Sequence, residues 1–251
     1  MEKYCGFFIV LCISMMAMSC RKDFCREKKQ MVTSERIVHE FEKIVINTNC
    51  DVHFTQGDQI GVKVVGPENA VKTLVSECKG MTLTLYHTAK YELFDLGCSP
   101  KVDVYITAPD LIGVTLKGSG DFVVEGHLDT DTLAVELNGT GDMKIKSLIC
   151  DEVNASVRGA YDLNIGSLQC STSNFKLYGV GDINIGETKV AKTFIQLKGV
   201  GDVNVDFNQC GTATCLLYGV GDIKLKGSLR SLDKTVRGTG NIDTEHLRIT
   251  R

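Results

Sequence analysis

The 251-residue chain has no tryptophan and only three prolines. It has no excess of either charge: 28 Lys and Arg stand against 31 Asp and Glu, a formal net of −3. That balance leaves no electrostatic footprint for nucleic acid, so no such partner is expected. There is no CxxC pair among the 11 cysteines, and His39, His53, His87, His127 and His246 are scattered. The spacing excludes the usual zinc sites, and no metal or cofactor is expected. No GxSxG or comparable nucleophile setting occurs. Beyond the first 20 residues no apolar run is long enough to cross a bilayer as a helix.

What is present begins with that first segment, MEKYCGFFIVLCISMMAMSC. One early lysine and an apolar run to about Met18 suit a secretory signal better than a membrane span. Ala17-Met18-Ser19-Cys20 looks like a bacterial lipobox. The expectation is a signal peptide over 1–19 and lipid on Cys20, with a polar tether over 20–34. The chain would then be held in the cell envelope, at the outer membrane, by lipid at one end. The ordinary signal peptide, with Cys20 incidental, is the alternative.

The 25 glycines are not scattered. G-x-G-[D/N] starts at Gly118, Gly139, Gly179, Gly199, Gly219 and Gly238, with a degenerate GAYD at Gly159, at intervals of 21, 20, 20, 20, 20 and 19 residues. Two residues before the first glycine stand Leu116, Leu137, Val157, Leu177, Leu197, Leu217 and Val236; four before it, Val114, Val135, Ala155, Phe175, Ile195 and Cys215. After the acid come the columns Phe122 to Ile242 and Val124 to Leu225. Polar residues fill the places between, which is the period of a half-buried strand. A 20-residue unit cannot bury its own apolar face, but a stack of such units can. The spacing therefore predicts an all-β chain: a β-solenoid, a right-handed parallel β-helix of ~20-residue coils turned at GxGD corners. A propeller blade needs about 40 residues.

The corner residues are Gly118 and Asp121, Gly139 and Asp142, Gly179 and Asp182, Gly199 and Asp202, Gly219 and Asp222. Glycine permits positive φ at a sharp corner, and the aspartate can bond to backbone N–H groups of its own corner as an Asx turn does. Stacked carboxylates ~4.8 Å apart repel by roughly 1 kcal/mol per pair in water. Backbone N–H groups or a bound cation could offset this. Asn164, Asn184 and Asn204 read as an amide ladder.

Just before each corner an outward column runs Lys117, Asn138, Arg158, Tyr178, Lys198, Tyr218, Arg237. Arg158, Tyr178, Lys198 and Tyr218 are the candidate ligand-binding face, suited to glycan or protein, since Tyr and Arg are enriched at contacts. A solvated strand face is the bland alternative. Cys150 and Cys170 would fall within disulfide range in adjacent coils, or stand as buried thiols in the place Val190 holds.

Residues 35–110 differ from the 111–251 repeat. They alternate as strands around a helix expected over 68–78, with a turn near Asn47–Asp51 and a loop at 88–100. This section is expected to cap the solenoid's open edge.

FEKIVINTNCDVHFTQGD, KVDVYITAPDLIGVTLKGSGDF and the serial GxGD units together resemble the head GIN domain family, also called putative auto-transporter adhesin. The resemblance spans roughly 36–245. It implies a β-helical, exported envelope protein of Bacteroides-like bacteria and no proven activity. GAYD departs from the pattern at its second glycine, which suggests a corner of altered geometry, with a site as the alternative.

Other readings of the motif fall away. GVGDIN lacks the third glycine and following helix of a dinucleotide site. GxGD intramembrane proteases need membrane helices. RTX calcium repeats run at nine residues. The short coils leave little room for a walled catalytic cleft. The reading is a non-catalytic, lipid-anchored binding module. A periplasm-facing structural component is the alternative, and a polysaccharide-active β-helix enzyme a more distant one.

Overall fold

The computed structural model describes residues 30–88 and 101–250. The expected signal peptide, Cys20 and nearly all of the expected loop lie outside the described residues. The chain forms a β-solenoid of about seven turns.

The repeat builds it from β8 (Gly113–Leu116), β9 (Phe122–Asp129), β10 (Thr132–Leu137), β11 (Thr140–Ile149), β12 (Glu152–Val157), β13 (Ala160–Leu177), β14 (Ile183–Leu197), β15 (Val203–Leu217) and β16 (Ile223–Val236). Pairing is parallel, and between β13 and β14 each residue lies against the one 20 positions on: Leu163 on Ile183, Ile165 on Ile185, Leu177 on Leu197. Each expected apolar column is therefore a stack. From Phe122 to Ile242 and from Val124 to Leu225 every member is buried. In β14 the alternation slips a place at Gly186–Glu187 and again at Ala191–Lys192. With the GxGD corner that makes three bends, and so three faces, in each coil.

The column two residues before the corner fails at its last member: Val236 is 45% exposed. It lies on the final coil, where β17 (Ile242–Asp243) and β18 (Leu247–Ile249) pair with other parts of β16. There Lys234 pairs with Cys215 and takes the inward place that Ile195 and Cys215 hold in earlier coils. A charge at that place discourages edge-to-edge pairing.

The solenoid does not begin at residue 111. β2 (Lys43–Ile46) lies parallel to β8, and β3 (Asp51–Gln56) parallel to β9. On their other side lie β6 (Thr82–His87) and β7 (Asp103–Ala108), again parallel. The 35–110 section thus supplies coils of its own, laid out of chain order. Among the described residues antiparallel strands occur only at this end. β4 (Gly61–Pro67) pairs with β7, β1 (Met31–Arg36) with β4, and β5 (Leu74–Lys79) with β6.

Two expectations are corrected here. Residues 31–34, placed in the tether, belong to β1. The helix is α1 (Glu68–Thr73), shorter than 68–78. Its face buries Ala70 and Val71, but from Leu74 the chain pairs with β6 instead. Cross-strand pairing outweighs local helix propensity there.

Candidate functional site

Both glycines of a corner lie against the preceding coil, and they differ in backbone conformation. The second has positive φ: +133° at Gly181, +142° at Gly201, +131° at Gly221. The first, expected to share that role, has no positive φ. It is glycine because the coils touch there: a Cβ on Gly199 would stand 2.0 Å from the Gly179 carbonyl oxygen, and one on Gly139 1.8 Å from that of Gly118.

The aspartates bond to the next coil and not to their own corner. The Asp202 N–H donates to Asp182 Oδ1 at 2.8 Å, Asp222 N–H to Asp202 Oδ1 at 2.8 Å, and Asn241 N–H to Asp222 Oδ1 at 2.9 Å. A hydrogen bond to a charged group contributes about 1.5–3 kcal/mol, more than the ~1 kcal/mol of neighbour repulsion. Lysines add to it: Lys144 Nζ is 3.0 Å from Asp142 and Lys224 Nζ 2.9 Å from Asp202. The Asp222 N–H first, and Lys224 second, hold the Asp202 carboxyl below its usual range. Among the described residues no group of three His, Cys, Asp or Glu is placed to hold a metal ion. The amide ladder is present: Asn204 Nδ2 donates to Asn184 Oδ1 at 2.8 Å, and Asn184 to Asn164 at 3.1 Å.

GAYD is a corner of altered geometry. Tyr161 pairs with Gly141 in register but lacks the positive φ. Its ring turns into the core, and its hydroxyl donates to the Gly118 carbonyl at 3.1 Å, two coils away. Burial pushes its phenol up to about 12.

On the other side of the corner the candidate face comes together. The Arg158 guanidinium lies 5.1 Å from the Tyr178 ring centre, and Lys198 Nζ lies 5.8 Å from Tyr178 and 5.7 Å from Tyr218. Arg158, Tyr178, Lys198 and Tyr218 thus form one alternating cation–aromatic stack. Tyr178 is steadied by its hydroxyl, 3.0 Å from Gln196 Oε1. Beyond the column the chain dips to Gly199 and Gly219, which are buried, and rises to Val180, Val200 and Val220, which are 56%, 50% and 50% exposed. Between column and valine ridge lies a shallow trough of about 660 Å³, whose lining continues to Arg237 and Thr239 on the last coil. No carboxylate lines it. A second hollow, of about 410 Å³, lies over Asn184, Asn204 and His246. Its lysines are already paired, Lys224 with Asp202 and Lys226 with Asp206 at 3.1 Å, which makes the trough the better candidate.

The profile of the family described as putative auto-transporter adhesin, head GIN domain, matches residues 40–214, well over half of the chain. The chain belongs to the head GIN domain family. Among solved structures it is similar to a putative adhesin from Bacteroides fragilis, with 29% identity and a TM-score of 0.78 over 86% of this chain and 97% of that one. A putative adhesin from Parabacteroides merdae aligns at 15% identity and a TM-score of 0.60, over 86% and 97% of the two chains. A protein named putative lipid binding protein, from Parabacteroides distasonis, aligns at 17% and 0.59, over 89% and 98%. These last two share the fold alone. Among curated proteins no sequence matches. The family and its Bacteroides relative associate this head GIN domain with adhesion at the cell envelope or surface.

Two features of this head GIN domain were hidden in the sequence, and one open alternative is decided. Asn47–Asp51 is not just a turn but a corner of the stack, next to that of Gly118–Asp121. The Asp121 N–H donates to Asp51 Oδ1 at 2.9 Å, and the Ser119 N–H to Asn49 Oδ1 at 3.0 Å. The signal was there in CDVHF set against GDFVV. The valine ridge is the middle residue of GVGD, to which the sequence pattern assigned no role. Cys150 and Cys170 face each other in adjacent coils as free thiols, and all six described cysteines are free. The hydrogen bond between the pair holds Cys150 below the usual thiol range and pushes Cys170 above it.

Proposed function

We propose that this chain is a non-catalytic cell-envelope lipoprotein, anchored in the outer membrane through lipid on Cys20, that binds a glycan or protein ligand along the trough. One observation carries the reading. Exposed valines, two tyrosines and unpaired cations share one continuous, carboxylate-free surface. Aromatic and Arg side chains beside exposed apolar area are what contact surfaces use. The absence of carboxylates from the lining is also what a binding track, and not a glycosidase pair, would show.

The test is a Tyr178→Ala, Tyr218→Ala double variant whose circular dichroism and melting match the wild type. Both proteins are applied to a glycan array and to purified extracellular-matrix proteins. Loss of the wild-type ligand in the double variant supports the trough. Unchanged capture removes it from the function. Protease shaving of intact cells carrying a C-terminal tag addresses location. Tag loss supports a surface adhesin. Protection that ends on permeabilising the envelope supports the periplasm-facing alternative.

A further inference from the structure

The outward column has a period of its own, two coils long. Its cations are Lys117, Arg158, Lys198 and Arg237, and between them stand Asn138, Tyr178 and Tyr218. The column is in register. In each coil the backbone N–H of this residue donates to the last inward residue of the previous coil, Lys198 to the Leu177 carbonyl and Tyr218 to that of Leu197, both at 2.8 Å. Cations therefore recur every ~10 Å along the rod, twice the strand spacing.

These four cations also lack carboxylate partners. Among the described residues Lys101, Lys144, Lys224 and Lys226 all lie 2.9–3.1 Å from an aspartate. Among the described residues no ion pair engages Lys117, Arg158, Lys198 or Arg237; Lys146, Lys176, Lys189 and Lys192 are unpaired too, so it is the spacing in one column that sets these four apart. Glu136 stands in the polar half of the face near Asn138, so the acid-free stretch begins at Arg158. At ~10 Å the cations sit about one Debye length apart, and the free protein can carry the row with little self-repulsion.

We infer that the trough is a track for a linear acidic polysaccharide carrying one carboxylate per disaccharide, laid parallel to the rod axis. This deepens the proposed binding function and rests on it. Two sugar rings end to end span about two coils. A carboxylate on every second ring then meets a cation each time, and the neutral rings between meet Tyr178 and Tyr218. The C–H faces of those rings pack on aromatic rings and on the valine ridge, and the glycine floor leaves room for the chain. A single nucleic-acid strand fits poorly, because it carries a charge on every nucleotide, and phosphates between the cations would face tyrosine. A polymer charged on every sugar would set half of its carboxylates against tyrosine.

The test uses the full chain in detergent and four probes: a hyaluronan oligosaccharide, charged on alternate sugars; an oligogalacturonate, charged on every sugar; a neutral chitin oligosaccharide; and oligo(dT). Affinities are measured at low and high salt. Hyaluronan should bind about tenfold or more tighter than the other three and weaken with salt. Lys198→Gln should lose about tenfold of that affinity, Lys198→Arg should keep it, and Lys146→Gln, exposed off the column, should leave it unchanged. Melting temperature shows that each variant is folded. Failure of hyaluronan to bind, equal affinity for all four probes, or indifference to Lys198→Gln overturns the inference. If a neutral glycan or a protein binds and the double tyrosine variant abolishes it, the binding function stands and the acidic-polymer reading falls.

Discussion

On one side of each corner the chain sets an aspartate in nearly every coil; on the other it sets a cation in every second coil. The two columns share backbone, coil length and strand spacing. They differ in what supports the charge. Each aspartate from Asp162 to Asp222 accepts an N–H from the next coil, and Lys144 and Lys224 pair across to the column. Of the cations, Arg158 and Lys198 lie beside aromatic rings. A repeated charge at one-coil spacing is stable when the fold itself supplies its partner. A charge without such a partner is spaced out and remains available. The first column belongs to the architecture and the second to the surface.

The harshest way to break the comparison is at the floor both columns share. Gly199→Ala would put a Cβ against the Gly179 oxygen and the Tyr178 carbonyl carbon, 2.0 and 2.8 Å away. Both are backbone and cannot swing aside. A loss of ~3 kcal/mol or more is expected by urea denaturation. Gly61→Ala, with nothing within 4 Å, should stay within about 0.5 kcal/mol of the wild type. Next is the aspartate ladder. Asp182→Ala strips the acceptor from the Asp202 N–H and should cost ~1–3 kcal/mol. Asp182→Asn keeps an oxygen there and should cost less, because it also removes repulsion.

A smaller effect is expected from acid. The Asp202 carboxyl sits below its usual value near 3.8. A depressed carboxyl gives stability that is present above the unfolded pKa and lost as pH falls through the folded one. Melting temperature should therefore drop below about pH 4, and Asp202→Asn should remove part of that slope. Smallest is Lys198→Gln. Exposed cation–π contacts contribute about 0.5–1 kcal/mol, so its melting temperature should barely move. A large drop would place the cation column in the architecture after all.

The repeat was legible because glycine marks it. Wherever two coils touch, the first glycine is forced, and its recurrence counts the coils. The Asn47–Asp51 corner could not be counted, since Thr48 and Cys50 stand where the repeat corners have glycine, and only Asp51 survives as a sign. The order of β2–β3 and β6–β7 in the stack depends on pairing between distant segments, which no local pattern records. The direction of the aspartate bond escaped for a related reason. An Asx turn within one corner and a ladder between corners use the same residues, and only the stacking distance decides. Arg158, Tyr178, Lys198 and Tyr218 were legible as a column, because outward places are fixed by the strand period. That Val180, Val200 and Val220 form the opposite wall was not, since the middle of a corner has no period-two rule to follow.

The most direct test of the division between the two columns is to map a bound glycan. Backbone amide shifts of the isotope-labelled protein would be followed during titration with the hyaluronan oligosaccharide. The account predicts shifts confined to the run from Arg158 to Arg237 beside the column and along Val180, Val200 and Val220, with the amides of Asp182, Asp202 and Asp222 unmoved. Shifts centred on the aspartate side, or none at saturating glycan, would contradict it.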